Sequence, residues 1–289
     1  MNKLTNIIAG VRKYIFERHS IKSSAGQPVR MRFFEVEVVN KQILSPSFIR
    51  ITFKGDAVKN MVVHAPDQWL KLFIPNEDGS VEKVIGHNQY LKFPDNIRPP
   101  MRTYTIRELR SEILEFDIDF VVHGDEGPAS RWAISAKIHD KMQIRAHSKS
   151  ADKTPSGCKW LPPSDAENLY IFADETAMPA TLAIIESLAK LKPPPKLTVF
   201  IEVPTEEDIL TTEKWGQLKL TWLVRNSNDK YGEKLYESSK SIELRNSKEN
   251  TYFWIAAEKN AVRKIKMHFS QISNINKKSI MHIAYWINS

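Results

Sequence analysis

Met101-Arg102-Thr103-Tyr104-Thr105-Ile106-Arg107, followed one apolar run later by His123-Gly124-Asp125-Glu126-Gly127-Pro128-Ala129-Ser130, is the pair of segments from which the fold of this chain is read. In the first, Arg102, Tyr104 and Ile106 alternate with Thr103, Thr105 and Arg107. In a strand this puts Arg102 and Tyr104 on one face and Thr105 on the other. A guanidinium on that face can hold a pyrophosphate bidentately, and a phenol ring beside it can cover a flat ring system. In the second, Gly124 and Gly127 permit backbone angles closed to other residues, Pro128 presets a helix entry, and Ala129–Ala136 reads as a short helix. Backbone amides at such a start attract anions. Either segment alone is weak evidence. In this order, separated by one strand, they describe a pocket for a flavin dinucleotide.

Working outward, residues 31 to about 145 are strand-rich. Phe33–Val39, Phe48–Phe53, Trp69–Ile74, Met101–Arg107, Ile113–Phe120 and Lys141–Ala146 are short alternating or apolar runs between turn residues, which predicts an antiparallel β-barrel. His147–Asp165 lacks periodicity and reads as a junction loop. After it the rhythm changes. Strands are expected at Leu169–Ala173, Lys196–Val203, Leu218–Val224, Thr251–Ala257 and Ile280–Trp286. Helices are expected at Pro179–Leu191, Lys230–Ser238 and Lys259–Ser273. Strands alternating with helices predict a parallel sheet. The expected division is residues 1–148, a flavin-binding barrel domain with an N-terminal helix, and 149–289, an α/β domain of reductase type.

The 289 residues suffice for two domains. One cysteine, Cys158, excludes an internal disulfide, a four-cysteine iron–sulfur cluster and a cysteine-based zinc site, and fits a reducing compartment. The histidines, His64 and His87 among them, form no helical metal pair, so no metal site is expected. At the amino terminus Leu4, Ile7, Ile8, Val11 and Ile15 fall at helical spacing. Lys3, Arg12, Lys13, Glu17 and Arg18 interrupt any long apolar run, so this reads as an amphipathic helix and not an export signal. No stretch is long enough to span a bilayer. The expected location is cytoplasmic, without stable membrane insertion. The formal charge of +8 suits an anionic partner. Aromatics are not interleaved with arginines as single-strand binders require, so nucleic acid is not that partner, and Trp69 and Trp160 read as core or loop anchors.

At these residues the chain resembles the siderophore-interacting proteins, a flavin-dependent branch of the ferredoxin-NADP reductase superfamily. The resemblance is carried by six ordered stretches: His64–Pro75, Arg102–Arg107, Asp119–Trp132, Asp174–Ala180, Trp254–Glu258 and Ala284–Trp286. It implies bound FAD and one-electron reduction of a ferric siderophore to release iron(II), with no protein acid, base or nucleophile. It also implies that Arg102, Thr103, Tyr104, Thr105, Asp119, Val122, His123, Gly127, Ala129, Ser130 and Thr176 hold the cofactor. Two alternatives stand beside it: a flavin oxidoreductase with another acceptor, and a siderophore-binding protein without redox turnover.

In an open parallel sheet ligands gather beyond the carboxyl ends of the strands. There this chain has Asp174-Glu175-Thr176, where ordinary members of the superfamily have a glycine-rich loop for a nicotinamide dinucleotide. Carboxylates would repel a pyrophosphate, so the electron donor is left as either NAD(P)H or a ferredoxin. Asp174 has a second reading as a helix cap. On the expected helix from Lys259, the residues Lys259, Arg263 and Lys266 form one cationic stripe beside an apolar stripe of Val262, Ile265 and Phe269. The cationic stripe is the candidate seat for an anionic ferric chelate. Lys264 is expected to turn away to solvent.

Overall fold

The computed structural model describes residues 31–76, 80, 82–123, 127–149, 157–210, 218–244, 250–273 and 275–288. The amphipathic segment Leu4–Ile15, the Gly124 turn and residues 150–156 of the junction loop lie outside the described residues. The chain divides into two compact units, one ending at Cys158 and the other running from Lys159 to the carboxyl terminus.

The first unit holds seven strands: β1 (Met31–Ser45), β2 (Phe48–Lys54), β3 (Trp69–Phe73), β4 (Met101–Thr105), β5 (Glu108–Arg110), β6 (Glu115–Val121) and β7 (Lys141–His147). They form one antiparallel sheet in the order β4-β3-β7-β1-β2-β6-β5. Just past β4 the Arg107 amide donates to Asp117 O at 2.9 Å, joining the exit of one edge strand to β6 near the opposite edge. The sheet thereby curls round a core of Val38, Ile51, Phe53, Leu70, Leu72, Phe116, Ile118, Phe120 and Ile144. Each fully buried aromatic or aliphatic side chain there contributes on the order of 2 kcal/mol. A single helical turn, α1 (His87–Tyr90), precedes β4, and α2 (Pro128–Ser135) follows β6. The expected strand from Ile113 starts at Glu115 instead, because Leu114 turns the chain at φ 63° and Ile113 is exposed. The three-residue β5 carries too few positions for alternation to reveal it.

The second unit is a five-stranded parallel sheet in the order β10-β9-β8-β11-β12. Its strands are β8 (Asn168–Asp174), β9 (Lys196–Val203), β10 (Lys219–Val224), β11 (Thr251–Glu258) and β12 (Ile280–Trp286). The helices between them are α3 (Met178–Ala189), α4 (Glu233–Lys240) and α5 (Lys259–Ser270). Every residue of β11 is buried, as a central parallel strand requires. The helix expected from Lys230 begins later because Gly232, at φ 71°, is its N-cap, and a Cβ there would stand 2.1 Å from the Ala261 Cβ. Only glycine meets both demands. Among the described residues no helix is long and apolar enough to cross a membrane.

Candidate functional site

In the first unit the pairing of β3 with β4 sets every side chain of the Arg102 segment. Tyr104 lies opposite Leu70 and Arg102 opposite Leu72, while Thr103 and Thr105 lie opposite Lys71 and Trp69. Arg102 and Tyr104 therefore share a face, as the alternation predicts, and Thr105 is buried on the other. The Tyr104 ring rests 4.6 Å from Phe120. Burial pushes its phenol well above the usual tyrosine value, with the nearby Arg102 cation a smaller opposing influence, so the hydroxyl stays neutral. Arg102 is exposed, donates only to the Met101 carbonyl at 3.1 Å, and has no carboxylate partner among the described residues.

The Tyr104–Phe120 contact continues into α2. Phe120 meets Trp132 at 5.7 Å, and Trp132 stacks on Phe53 at 6.0 Å with the rings 9° apart. This places α2 against the same barrel wall that carries Tyr104. Gly127, at φ 80°, is its N-cap, Pro128 follows, and among the described residues no side chain caps this end. The Ser130 hydroxyl accepts from the His123 amide at 3.2 Å. Val122 is buried, and its amide donates to Ser47 O at 2.9 Å. A guanidinium and a helix start that no described side chain pairs or caps, with a neutral aromatic face between, all on β4 and the elements packed against it, fit a flavin dinucleotide.

Two of the expected cofactor residues are bonded within their own units. Asp119 faces away from Tyr104, because its neighbour Phe120 takes the core side of β6. Its carboxylate is held by Arg50 at 2.6 and 2.8 Å, with Arg107 at 3.7 Å. It stiffens β6 against β2, its cross-strand partner being Arg50. Thr176 belongs to the second unit. Its amide and its hydroxyl both donate to Asp174, at 3.0 and 2.5 Å, so both of its donors are engaged internally.

Sequence reasoning missed Lys71 and Arg145. They lie directly opposite each other on β3 and β7. Like charges in that register repel. Lys71 sits below the usual lysine value, first through burial and then through the Arg145 charge. Its ammonium donates to the Thr103 hydroxyl. The Arg145 Nε is buried with no hydrogen-bond partner among the described residues, and the guanidinium lies 5.7 Å over the Phe33 ring. Neither cation has a carboxylate partner among the described residues, so their repulsion is left without a counter-charge there. The pairing joins residues far apart in the chain, which no local pattern displays.

At the carboxyl edge of the parallel sheet the Asp174-Glu175 loop is not the open negative charge that the sequence implied. Glu175 is fully buried and forms a bidentate pair with Arg225 at 2.6 and 2.7 Å. The same guanidinium reaches Glu202 at 3.2 Å, and Glu202 also accepts from the Gly232 amide at 2.7 Å. Arg225 lies 4.9 Å over Tyr231, whose ring meets Trp286 at 4.7 Å. Asp174 accepts from the Thr176 amide as a cap, and from the Glu258 amide and the Trp286 indole at 2.8 Å each. The reading of Asp174 as a cap thus holds, and the reading of the loop as open negative charge changes. The amide that a pyrophosphate would use at this turn already serves the chain's own carboxylate, and Pro179 has none to offer.

Burial, with neighbouring Glu175 second, pushes Asp174 up to about 7 from an unfolded value of 3.8. An acid whose pKa rises on folding stabilises the fold in its protonated form. That contribution is complete below about pH 4 and lost as pH rises through about 7. The denaturation midpoint of the second unit should fall over that interval. In Asp174→Asn the fall should be shallower, although the midpoint is lower throughout, because an amide NH2 would face the Glu258 and Trp286 donors. Equal slopes in a pH series of denaturant melts would remove Asp174 as the source.

On α5 the apolar stripe packs as expected: Val262, Ile265 and Phe269 are buried, with Ala261 beside them. Glu258 caps its start, accepting from the Asn260 and Ala261 amides. Lys259 and Arg263 are exposed and Lys266 is half-buried, none with a carboxylate partner among the described residues. Lys264 is exposed but not free in solvent, since its ammonium stands 5.8 Å over the Tyr236 ring. Among the described residues no cluster of metal-ligating side chains is present.

Two family models cover most of the chain. Residues 37–150 match the siderophore-interacting FAD-binding domain, and residues 166–289 match the siderophore-interacting protein domain. The chain therefore belongs to the siderophore-interacting protein family. It is 26% identical over 260 residues to an NADPH-dependent ferric-chelate reductase of Escherichia coli, covering 89% of this chain and 93% of that protein. It is 27% identical over 253 residues to the ferric vibriobactin reductase ViuB of Vibrio cholerae, covering 87% and 88%. The crystal structure of the siderophore-interacting protein SipS from Aeromonas hydrophila superposes with a TM-score of 0.71 at 26% identity, over 90% of this chain and 93% of that one. A ferredoxin reductase of carbazole 1,9a-dioxygenase shares the fold, with a TM-score of 0.65 at 11% identity, over 90% of this chain and 71% of that one.

Proposed function

We propose that this member of the siderophore-interacting protein family is a FAD-dependent reductase that frees iron from ferric siderophores. The observation that carries the reading is Arg102, which has no carboxylate partner among the described residues, beside the neutral Tyr104 face and the start of α2, which no described side chain caps, within the family's FAD-binding domain. FAD, when bound, supplies single electrons to a ferric centre. The chain's own residues bind and position. Arg102 and the first amides of α2 neutralise the diphosphate, and Tyr104 covers the ring while adding no charge. Thr103, Thr105, Val122, His123 and Ser130 shape the strand and turn that hold those groups. Iron(III) prefers hard oxygen ligands, so its reduction to iron(II) weakens the chelate and lets the metal leave. No protein acid, base or nucleophile is required.

The division into residues 1–148, holding the cofactor, and 149–289, serving the donor side, remains our reading of the chain. NAD(P)H or a ferredoxin supplies the electrons. The engaged amide at Thr176 favours a donor that does not seat a pyrophosphate on that turn, and the basic surface suits an acidic ferredoxin. We place the protein in the cytoplasm, where its single buried cysteine stays reduced.

An anionic ferric chelate is met by Lys259, Arg263 and Lys266 on α5. Neutralising each stripe residue should weaken chelate turnover by about 1 kcal/mol or less, and less again at high salt. Flavin content should hold. Lys264→Met is the comparison, with its contact to Tyr236 borne in mind. Steady-state reduction of a ferric siderophore, read as KM at two ionic strengths, makes the measurement. Equal losses from Lys264→Met and Lys259→Met would reduce the stripe to general steering by net charge.

A further inference from the structure

We propose that Lys41 is a positioning residue for the FAD diphosphate, clamping the carboxyl end of α2 so that its amino end is held toward the anion. The proposal rests on the reading of the FAD site given above. Lys41 lies on β1, well away from the Arg102 segment in sequence. Its ammonium donates to Ile134 O at 2.6 Å and Ala136 O at 3.2 Å, two of the carbonyls that the end of α2 leaves without helical partners. The same strand ties down the turn that follows. Val38 N donates to Asp140 O at 2.9 Å and His139 N to Val38 O at 2.8 Å, while the Asp140 carboxylate accepts from Lys137 N at 2.8 Å.

The helix is thus fixed at its exit by β1 and at its middle by Trp132, and among the described residues no side chain caps its start. At eight residues it is about 12 Å long. A cation at one end and an anion at the other complement both poles of one short dipole. A helix cap that merely stabilises the fold is the competing account. Burial holds the Lys41 ammonium below the usual lysine value, with Asp140 only partly restoring it.

The test titrates FAD into the apo-protein of wild type, Lys41→Met, Lys41→Arg and Arg102→Ala, following flavin fluorescence, and records the thermal melt of each apo-protein. Lys41→Met should bind FAD about two- to fivefold more weakly, with its apo melting temperature unchanged. Lys41→Arg should bind close to wild type. Wild-type affinity in Lys41→Met, with FAD lost from Arg102→Ala, overturns the role of Lys41 and leaves the site standing. A weaker affinity that tracks a fall in the apo melting temperature makes Lys41 a structural residue and equally overturns it. If Lys41→Met does not fold, Lys41→Gln replaces it, and failure of both to fold likewise makes Lys41 a structural residue. Full FAD retention by both Lys41→Met and Arg102→Ala overturns the site reading as well.

Discussion

Arg102→Ala is expected to purify without its flavin. The guanidinium is exposed, bonded only to a backbone carbonyl and unmatched by a carboxylate among the described residues, so nothing in the fold depends on it. A bidentate charge-assisted contact to phosphate contributes about 1.5–3 kcal/mol, which converts to a loss of affinity of roughly 10- to 100-fold. The ratio of flavin to protein absorbance after gel filtration measures it. The melting temperature of the apo-protein should not move. Cofactor released from wild type by denaturation should be FAD and not FMN, because Arg102 and the α2 amides together exceed what one terminal phosphate needs. Full flavin content in the variant would place the diphosphate elsewhere.

Arg225→Ala is expected to lower the stability of the second unit by about 3–5 kcal/mol. Among the described residues its guanidinium is the one cation that meets both Glu175 and Glu202, each fully buried, and removing it strands two carboxylates without water or counter-charge. Burial already raises Glu202 above its ordinary value even with Arg225 present. Arg225→Lys should recover little, because a single ammonium cannot reproduce the bidentate bond to Glu175 while also reaching Glu202. Urea unfolding followed by tryptophan fluorescence reads the loss, since Trp254 and Trp286 both lie in this unit. A change under about 1 kcal/mol would mean that water reaches the cluster.

The sequence made the architecture legible because both periods are strong. Two-residue alternation marked Phe48–Phe53 and Lys141–Ala146 as strands, and the change to strand–helix rhythm after residue 165 marked the parallel sheet. Element ends were less legible, since they depend on single backbone angles such as those of Leu114 and Gly232. The Arg102–Tyr104 face was readable because it is local. Lys71 with Arg145, Arg225 with Glu175, and Lys41 with α2 were not, because each is a pairing across strands or elements that only register creates. Reading Asp174-Glu175 as exposed charge failed for the same reason: Arg225, Trp286 and the Glu258 amide, which neutralise or bond those carboxylates, stand far along the chain. Asp119 misled because a motif match carries no information on which face of β6 a residue takes.

The most direct measurement is anaerobic. The flavin of the purified protein is photoreduced, then mixed with a ferric siderophore in the presence of an iron(II)-specific chromogenic chelator, and both chromophores are followed together. Flavin absorbance should return in step with the iron(II) colour, and the rate should fall when Lys259 and Arg263 are neutralised. Flavin that stays reduced while the ferric siderophore binds would contradict the reductase and leave a siderophore-binding protein in its place.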